Sequence, residues 1–202
     1  MSNCGCDAVA ETEEQRRILR LALVLNAVMF VVGFIAGVIA QSTGLIADSL
    51  DMLADAFAYG IGLIAIARSA TFKATAATVS GTLLLVLGVG VLIDVARRAI
   101  VGANPESTTM LLVASVSLVV NSIVLHLLSR YRRGEVHLRA TWIFTRADVI
   151  ANIAVITAAL IVRYTQAEWV DLVVGALIGC YVAKEALEIL ANGRKAARSA
   201  TT

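Results

Sequence analysis

Three carboxylates stand at helical spacing in an otherwise apolar stretch of the chain, LIADSLDMLADAFAYG. Asp48, Asp51 and Asp55 are three and four residues apart, so on a helix they lie along one stripe of its surface. A carboxylate at the centre of a bilayer costs at least about 2.5–3.5 kcal/mol unless it is paired or solvated. Asp48 is close to the end of the stretch and can face water, but Asp55 lies near its centre. We therefore expect a positive group to meet Asp55.

A second polar stripe lies in the later stretch WIFTRADVIANIAV. Asp148 and Asn152 are four residues apart and share a helix face, and Thr145 lies one turn earlier. Arg146 falls on roughly the opposite side of the helix, so it is not an automatic partner for Asp148. One interpretation is a structural ion pair between an arginine and an aspartate of different helices.

The other interpretation is a divalent cation clamped between the two stripes. Its ligands would be oxygen-bearing side chains: Asp51, Asp55, Asp148 and Asn152. Oxygen ligands suit hard or intermediate cations, and buried charges that coordinate a metal avoid the cost of being unpaired.

The composition places these stripes in a membrane protein. Of the 202 residues, 59% are hydrophobic and 16% are charged, whereas a soluble domain is about half apolar and a quarter charged. Mean hydropathy is +0.84. Six apolar segments have roughly the ~20 residues that a helix needs to cross the hydrocarbon core. They are Leu21–Ala40, Leu45–Ala67, Ala76–Ala96, Met110–Leu128, Ala140–Val162 and Trp169–Ala191. Backbone in lipid must satisfy its own hydrogen bonds, so the prediction is an all-α membrane protein, a six-transmembrane-helix bundle.

The placement of arginine and lysine predicts the orientation of this bundle. Most of them precede the first segment, separate the second from the third and the fourth from the fifth, or follow the sixth. By the positive-inside rule both termini are cytoplasmic. The domain prediction is a cytoplasmic segment over 1–17, a transmembrane domain over 18–192 and a short tail over 193–202.

Other polar residues inside the segments are expected to have structural or solvent-facing roles rather than to bind metal. We expect Asn26 and Asn121 to form hydrogen bonds between helices, and His126 to lie at the cytoplasmic interface. Asp171, near the start of the sixth segment, is expected at the outer boundary as a solvated acid.

A charged patch near the cytoplasmic end of the sixth segment contains Lys184, Glu185 and Glu188. Lys184 and Glu188 have the spacing of a helical ion pair, so we expect them to pair with each other. Two G-x-x-x-G spacings, Gly33 with Gly37 and Gly175 with Gly179, are typical of close helix packing, without indicating which helices meet.

The paired stripes resemble the signatures of the cation diffusion facilitators. Asp51-x-x-x-Asp55 resembles the signature of their second helix, and Asp148-x-x-x-Asn152 that of their fifth. The stretches LVLNAVMF and SLVVNSIV also stand where helices one and four of that family often carry asparagine. The resemblance covers all six predicted helices, roughly residues 15 to 192.

The resemblance implies a proton-coupled exporter of divalent transition metals that works by alternating access. Its intramembrane site would use two residues of helix two and two of helix five. By position, three of these ligands are Asp51, Asp55 and Asp148. The fourth falls on Phe144, which cannot ligate, so Asn152, Thr145 or water would complete the shell. Because the family's histidine is missing, manganese, iron(II) or cobalt is favoured, with zinc left open.

The resemblance also bears on partners and location. Many family members continue into a soluble cytoplasmic domain, whereas this sequence ends about ten residues after the last predicted helix. We therefore expect membrane helices to hold any homodimer together. Cys4 and Cys6, on the reduced cytoplasmic side, could dock metal, although short termini are usually disordered. The expected location is a prokaryotic inner membrane, and the metal is a substrate rather than a cofactor.

Four other functions can be compared with features of the sequence. A membrane sensor or assembly partner would bind metal without moving it, and the departures at Phe144 and after the last helix keep this alternative open. A carrier of organic cations is disfavoured by the aromatic content of 5%. An enzyme is disfavoured because no nucleophile–base pair or glycine-rich phosphate loop is present. Nucleic acid has little support, since no basic run is interleaved with aromatics.

Overall fold

Six helices account for nearly all of the protein that the structure describes. The computed structural model describes residues 4–65, 70–129 and 136–199. Its helices are α1 (Cys4–Ile39), α2 (Thr43–Ala65), α3 (Ala70–Val101), α4 (Ser107–Leu128), α5 (Val136–Thr165) and α6 (Trp169–Ser199). The six apolar segments coincide with these helices in order. The prediction of an all-α bundle of six helices is therefore confirmed for the described residues.

The helices differ in how apolar they are. Within the described residues, four stretches are long and apolar enough to cross a membrane: Arg16–Ile39, Thr75–Val101, Ser107–Leu128 and Thr145–Thr165. They belong to α1, α3, α4 and α5. In α2 and α6 charged residues interrupt the apolar stretch itself: Asp48, Asp51 and Asp55 in α2, and Lys184, Glu185 and Glu188 in α6. The α2 helix contacts each of the other five helices, so its acids are shielded from lipid.

Two helices extend beyond their apolar segments. The α1 helix begins at Cys4 rather than near Leu21, and α6 continues to Ser199. The flanking segments 1–17 and 193–202 therefore contribute helix over 4–17 and 193–199. Alanine, glutamate, glutamine and arginine dominate these extensions, and all four favour helix. Cys4 and Cys6 lie in the first turns of α1, but their side chains are outside the described residues, so metal docking there stays a prediction.

Three short loops lie at one end of the bundle, which we call the short-loop end. They span 40–42, 102–106 and 166–168. The backbone N–H of Glu106 donates to the carbonyl of Ala40 at 2.8 Å, and Nη1 of Arg98 donates to the carbonyl of Gln41 at 2.6 Å. These bonds tie the first loop to α3 and to the second loop. The charge placement predicts that this end faces away from the cytoplasm.

The loop between α3 and α4 shows why these helices stop and start there. Gly102 has a φ of +97°, a conformation that ends α3 and that favours glycine. Glu106 caps α4 by accepting the backbone N–H groups of Thr109 at 2.7 Å and Thr108 at 2.9 Å. These hydrogen bonds lower the pKa of Glu106 to about 2. An acid at this position also suits the positive end of the helix dipole.

The two G-x-x-x-G pairs show which helices meet. A Cβ atom added at Gly37 would lie 2.9 Å from the backbone nitrogen of Ile46, so α1 packs directly on α2. One added at Gly175 would lie 2.8 Å from the backbone carbon of Thr43, so α6 also packs on α2. Both glycines permit backbone contact that any side chain would prevent.

Candidate metal site

The three acids of α2 all lie inside the bundle. Asp48 is 3% exposed, Asp51 4% and Asp55 7%. The expectation that Asp48 could face water is therefore wrong. The reason is that the first half of α2 is covered by its neighbours, so even its end is enclosed.

Helix α5 brings the fourth predicted carboxylate to this stripe. Asp148 is 5% exposed, and its carboxyl group lies close enough to those of Asp51 and Asp55 to interact with both. The Oδ2 atom of Asp148 is buried and receives no hydrogen bond from any described donor. Two ionised carboxylates repel each other, so such contacts need a shared proton or a cation between the groups.

The acidic side chains lie close together, but they do not form a complete metal-coordination site in the described residues. Within 4–65, 70–129 and 136–199, no group of three or more histidine, cysteine, aspartate or glutamate side chains is arranged to hold a metal ion. Asp148 therefore lies near Asp51 and Asp55 without forming such a group with them. An ion in this position would require the side chains to rotate toward it.

Asn152 is buried one turn beyond Asp148, where it bridges two other helices. Its Nδ2 donates to Oδ1 of Asp48 at 2.6 Å, and its Oδ1 accepts from Nδ2 of Asn121 at 3.0 Å. Asn121 thus forms the interhelical bond expected of it. Asn26 does not show the same pattern, because its Nδ2 donates to the carbonyl of Ala22 in its own helix.

Tyr59 belongs to the site although the sequence analysis did not single it out. Its hydroxyl donates to Oδ2 of Asp55 at 2.7 Å and lies 3.1 Å from Oγ1 of Thr145. Tyr59 is 2% exposed and Thr145 is fully buried. The four-residue spacing from Asp55 was the available signal, since it puts a polar hydroxyl on the acidic stripe.

Two further residues of α5, Arg146 and Phe144, were considered in the sequence analysis as neighbours of the site. Arg146 is exposed while Asp148 is buried, so the structure places them on different faces of the helix. The side chain of Phe144 lies outside the described residues. That Asn152, Thr145 or water replaces the family's fourth ligand therefore stays a prediction.

Asp171 is a buried cap rather than a solvated boundary acid. It is 0% exposed and accepts hydrogen bonds from the start of α2: Ser42 Oγ at 2.6 Å, Thr43 N at 2.7 Å and Gly44 N at 3.1 Å. The expectation for Asp171 is wrong because α6 packs so closely on α2 that its first turn reaches the free N–H groups there. We call this arrangement the Asp171 clamp.

The charged patch of α6 divides between surface and interior. Lys184 and Glu188 are exposed and pair at 3.6 Å, which confirms that prediction. Glu185 is partly buried and forms a hydrogen bond with Tyr181. Its charge acts on Asp51 and Asp55, so it lies near the acidic stripe.

Comparison with known families identifies the bundle. Residues 19–196 match the family model of the cation efflux transmembrane domain. The chain belongs to the cation efflux family. This confirms the resemblance that the two aspartate motifs predicted, over nearly the same residues.

Two known proteins are similar to this chain over most of its length. They are the metal cation efflux system protein CzcD of Cupriavidus metallidurans and the cation efflux system protein CzcD of Alcaligenes sp. strain CT14. Each is 30% identical over 196 residues, covering 88% of this chain. The chain spans 62% of the length of each relative. A cation efflux family is one of transporters, in agreement with the expectation that the chain is not an enzyme.

Proposed function

We propose that this chain exports divalent transition-metal cations from the cytoplasm in exchange for protons. The observation that supports this function best is the meeting of Asp148 with Asp51 and Asp55 in the buried interior. Membership of the cation efflux family supports the class of cargo. Because the chain spans 62% of its relatives, their activity enters here as part of the proposal.

The contacts between carboxyl groups explain why metal and protons would be exchanged. In the absence of metal, protons neutralise groups that would otherwise repel each other. A divalent cation satisfies the same carboxylates only after those protons leave, so metal affinity depends on pH. Protons from the other side of the membrane would then compete the metal off.

The donor set points to a particular group of metals. Asp51, Asp55 and Asp148 offer only oxygen atoms, which suit manganese, iron(II) and cobalt. Zinc sites more often use nitrogen and sulfur in a tetrahedral arrangement. We propose the first three metals as the main candidates, with zinc as the comparison.

Asn152 is proposed as the fourth oxygen donor and as a support. Its carbonyl oxygen accepts from Asn121 and retains a second lone pair that a cation could use. Its amide group meanwhile holds Asp48. Asn152 therefore links the cation to helices α2 and α4 through one side chain.

The burial of the site supports an alternating-access mechanism. Asp51, Asp55 and Asp148 are each at most 7% exposed, so a hydrated ion reaches them only when helices move apart. The proposed location is a prokaryotic inner membrane, with the basic ends in the cytoplasm. The chain is proposed to act as a homodimer held by its membrane helices.

The proposal is tested by proton movement in proteoliposomes that enclose a pH-sensitive dye. Manganese, iron(II), cobalt, zinc and cadmium are added in turn to the purified chain and to Asp55→Asn and Asp148→Asn. We expect a proton flux with one or two metals, and at least a tenfold loss in both variants. Glu188→Gln, which changes an exposed acid on α6, serves as the control and should keep the flux of the original chain.

Two results would contradict the proposal. Normal flux in Asp55→Asn or Asp148→Asn would mean that the cation passes elsewhere. Metal binding without flux in the original chain would indicate a sensor or assembly partner instead of a transporter.

A further inference from the structure

Helix α6 carries an acid that the proposed site does not yet use. Glu185 lies between a fully buried valine, Val182, and a fully buried alanine, Ala186, on the side of α6 that packs inward. Its neighbour Lys184 has its side chain 71% exposed and pairs with Glu188. Glu185 is partly buried and lies at the boundary between this surface ion pair and the interior of the bundle.

The alignment of α2 with α6 determines where Glu185 lies along the helix axis relative to the aspartates of α2. Both helices begin at the short-loop end, so they run in the same direction. The contact of Gly175 with Thr43 aligns them, and the Asp171 clamp fixes that alignment. Equal steps of about 1.5 Å along both helices then bring Asp51 level with residue 183 and Asp55 level with residue 187. Glu185 falls midway between the two aspartates.

Packing further along the two helices agrees with this register. Ala54 of α2 and Ala186 of α6 belong to one buried apolar cluster, together with Leu84 of α3. Each alanine is adjacent in sequence to one of the acids concerned. The charges of Glu185 and Asp51 act on each other across the interface between α6 and α2, in agreement with this register.

We propose that Glu185 is a further ligand of the cation site, so that carboxylates from α2, α5 and α6 hold the ion together. This inference rests on the proposed function. The buried and unpartnered Oδ2 of Asp148 indicates that an atom of the site awaits a partner. Glu185 would supply the acidic oxygen that phenylalanine at the family's fourth position cannot, and Tyr181 would orient it.

A site with four carboxylates has a distinct chemical preference. It has only oxygen donors and a formal charge of −4 when ionised, which favours a hard, six-coordinate cation such as Mn²⁺ over zinc. The glutamate side chain is longer than aspartate, so it can swing toward the ion as it enters. The site would close around the cation only when α6 stays aligned with α2.

The test is a titration of the purified full chain in detergent with Mn²⁺ alone, followed by the loss of the free-ion electron paramagnetic resonance signal. We expect Glu185→Gln to weaken Mn²⁺ binding at least tenfold. Glu188→Gln, a matched change one turn away on the exposed face, should stay within about twofold of the original chain. Asp55→Asn is included to test the proposed function separately.

The possible outcomes are distinguishable. Unchanged binding in Glu185→Gln, with binding lost in Asp55→Asn, would overturn this inference and leave the proposed function standing. No binding of Mn²⁺ by the original chain would overturn this inference, and the proton-flux experiment would then decide the proposed function by itself.

A second measurement needs no variant, in case Glu185→Gln does not fold. A water-soluble carbodiimide modifies accessible carboxyl groups, and mass spectrometry locates the modification. Mn²⁺ should protect Glu185 and leave Glu188 as reactive as before. Equal modification of Glu185 with and without bound Mn²⁺ would overturn the inference.

Discussion

Each buried acid of α2 has a different partner, and these partners offset the cost of burying three acids on one helix. Asp48 is held by Asn152, Asp55 by Tyr59, and Asp51 meets the carboxyl group of Asp148. The first two contacts are donated by neutral groups, so they stabilise an ionised acid without a second charge. Only the contact between acids needs a proton or a cation, so it is the part of the stripe suited to exchanging them.

We predict that Tyr59→Phe destabilises the protein because it leaves Oδ2 of Asp55 buried without its donor. The expected loss in free energy of unfolding is about 1–3 kcal/mol. Unfolding in mixed micelles measures it, and the 80% exposed Tyr164, changed to phenylalanine, is the control. Equal stabilities for the two variants would show that the Tyr59 hydroxyl does not support Asp55.

The sequence predicted which acids of α2 and α5 come together, and the reason is geometric. Residues four apart on a helix share a face, so two such pairs define two walls of one site. Tyr59 continues the acidic stripe of α2 but was not singled out, and Asp171 and Glu185 were not assigned to the interior because neither belongs to such a stripe. Only the packing of one helix against another decides whether such a residue is solvated.

At the scale of elements, the Asp171 clamp sets the position of α2. The start of a helix leaves N–H groups without partners. In α2 the N–H groups of Thr43 and Gly44 donate to Asp171 of α6, while Oγ of the preceding Ser42 accepts the N–H of Leu45. Gly175 allows the backbones to come close enough for the bonds to Asp171. The clamp thereby fixes the register between α2 and α6, on which the height of Glu185 depends.

We predict that Asp171→Ala lowers the free energy of unfolding by at least about 2 kcal/mol, because buried donors at the start of α2 lose their acceptor. Asp94→Ala is the matched control, since Asp94 is an acid paired with Arg97 and Arg98 at the surface of α3. Its loss should cost about 0–1 kcal/mol. A similar cost for both variants, measured by unfolding in mixed micelles, would argue against the clamp.

At the scale of the whole molecule, α2 is the inner helix of the bundle. The α2 helix, which carries the acids, contacts all five others, while α1, α3, α4 and α5 provide the long apolar stretches. A hydropathy profile predicts where the helices lie, but it does not reveal that α2 is the inner one. That property follows from glycine contacts and from the clamp, which join helices distant in sequence.

The most direct test of the account is to locate the cation. Crystals of the protein grown with Mn²⁺ and measured at the manganese absorption edge give an anomalous signal only where the ion binds. The account predicts one main peak between α2 and α5, within coordination distance of carboxylate oxygens of Asp51, Asp55 and Asp148. A main peak elsewhere, or none at a Mn²⁺ concentration that drives proton exchange, would contradict it.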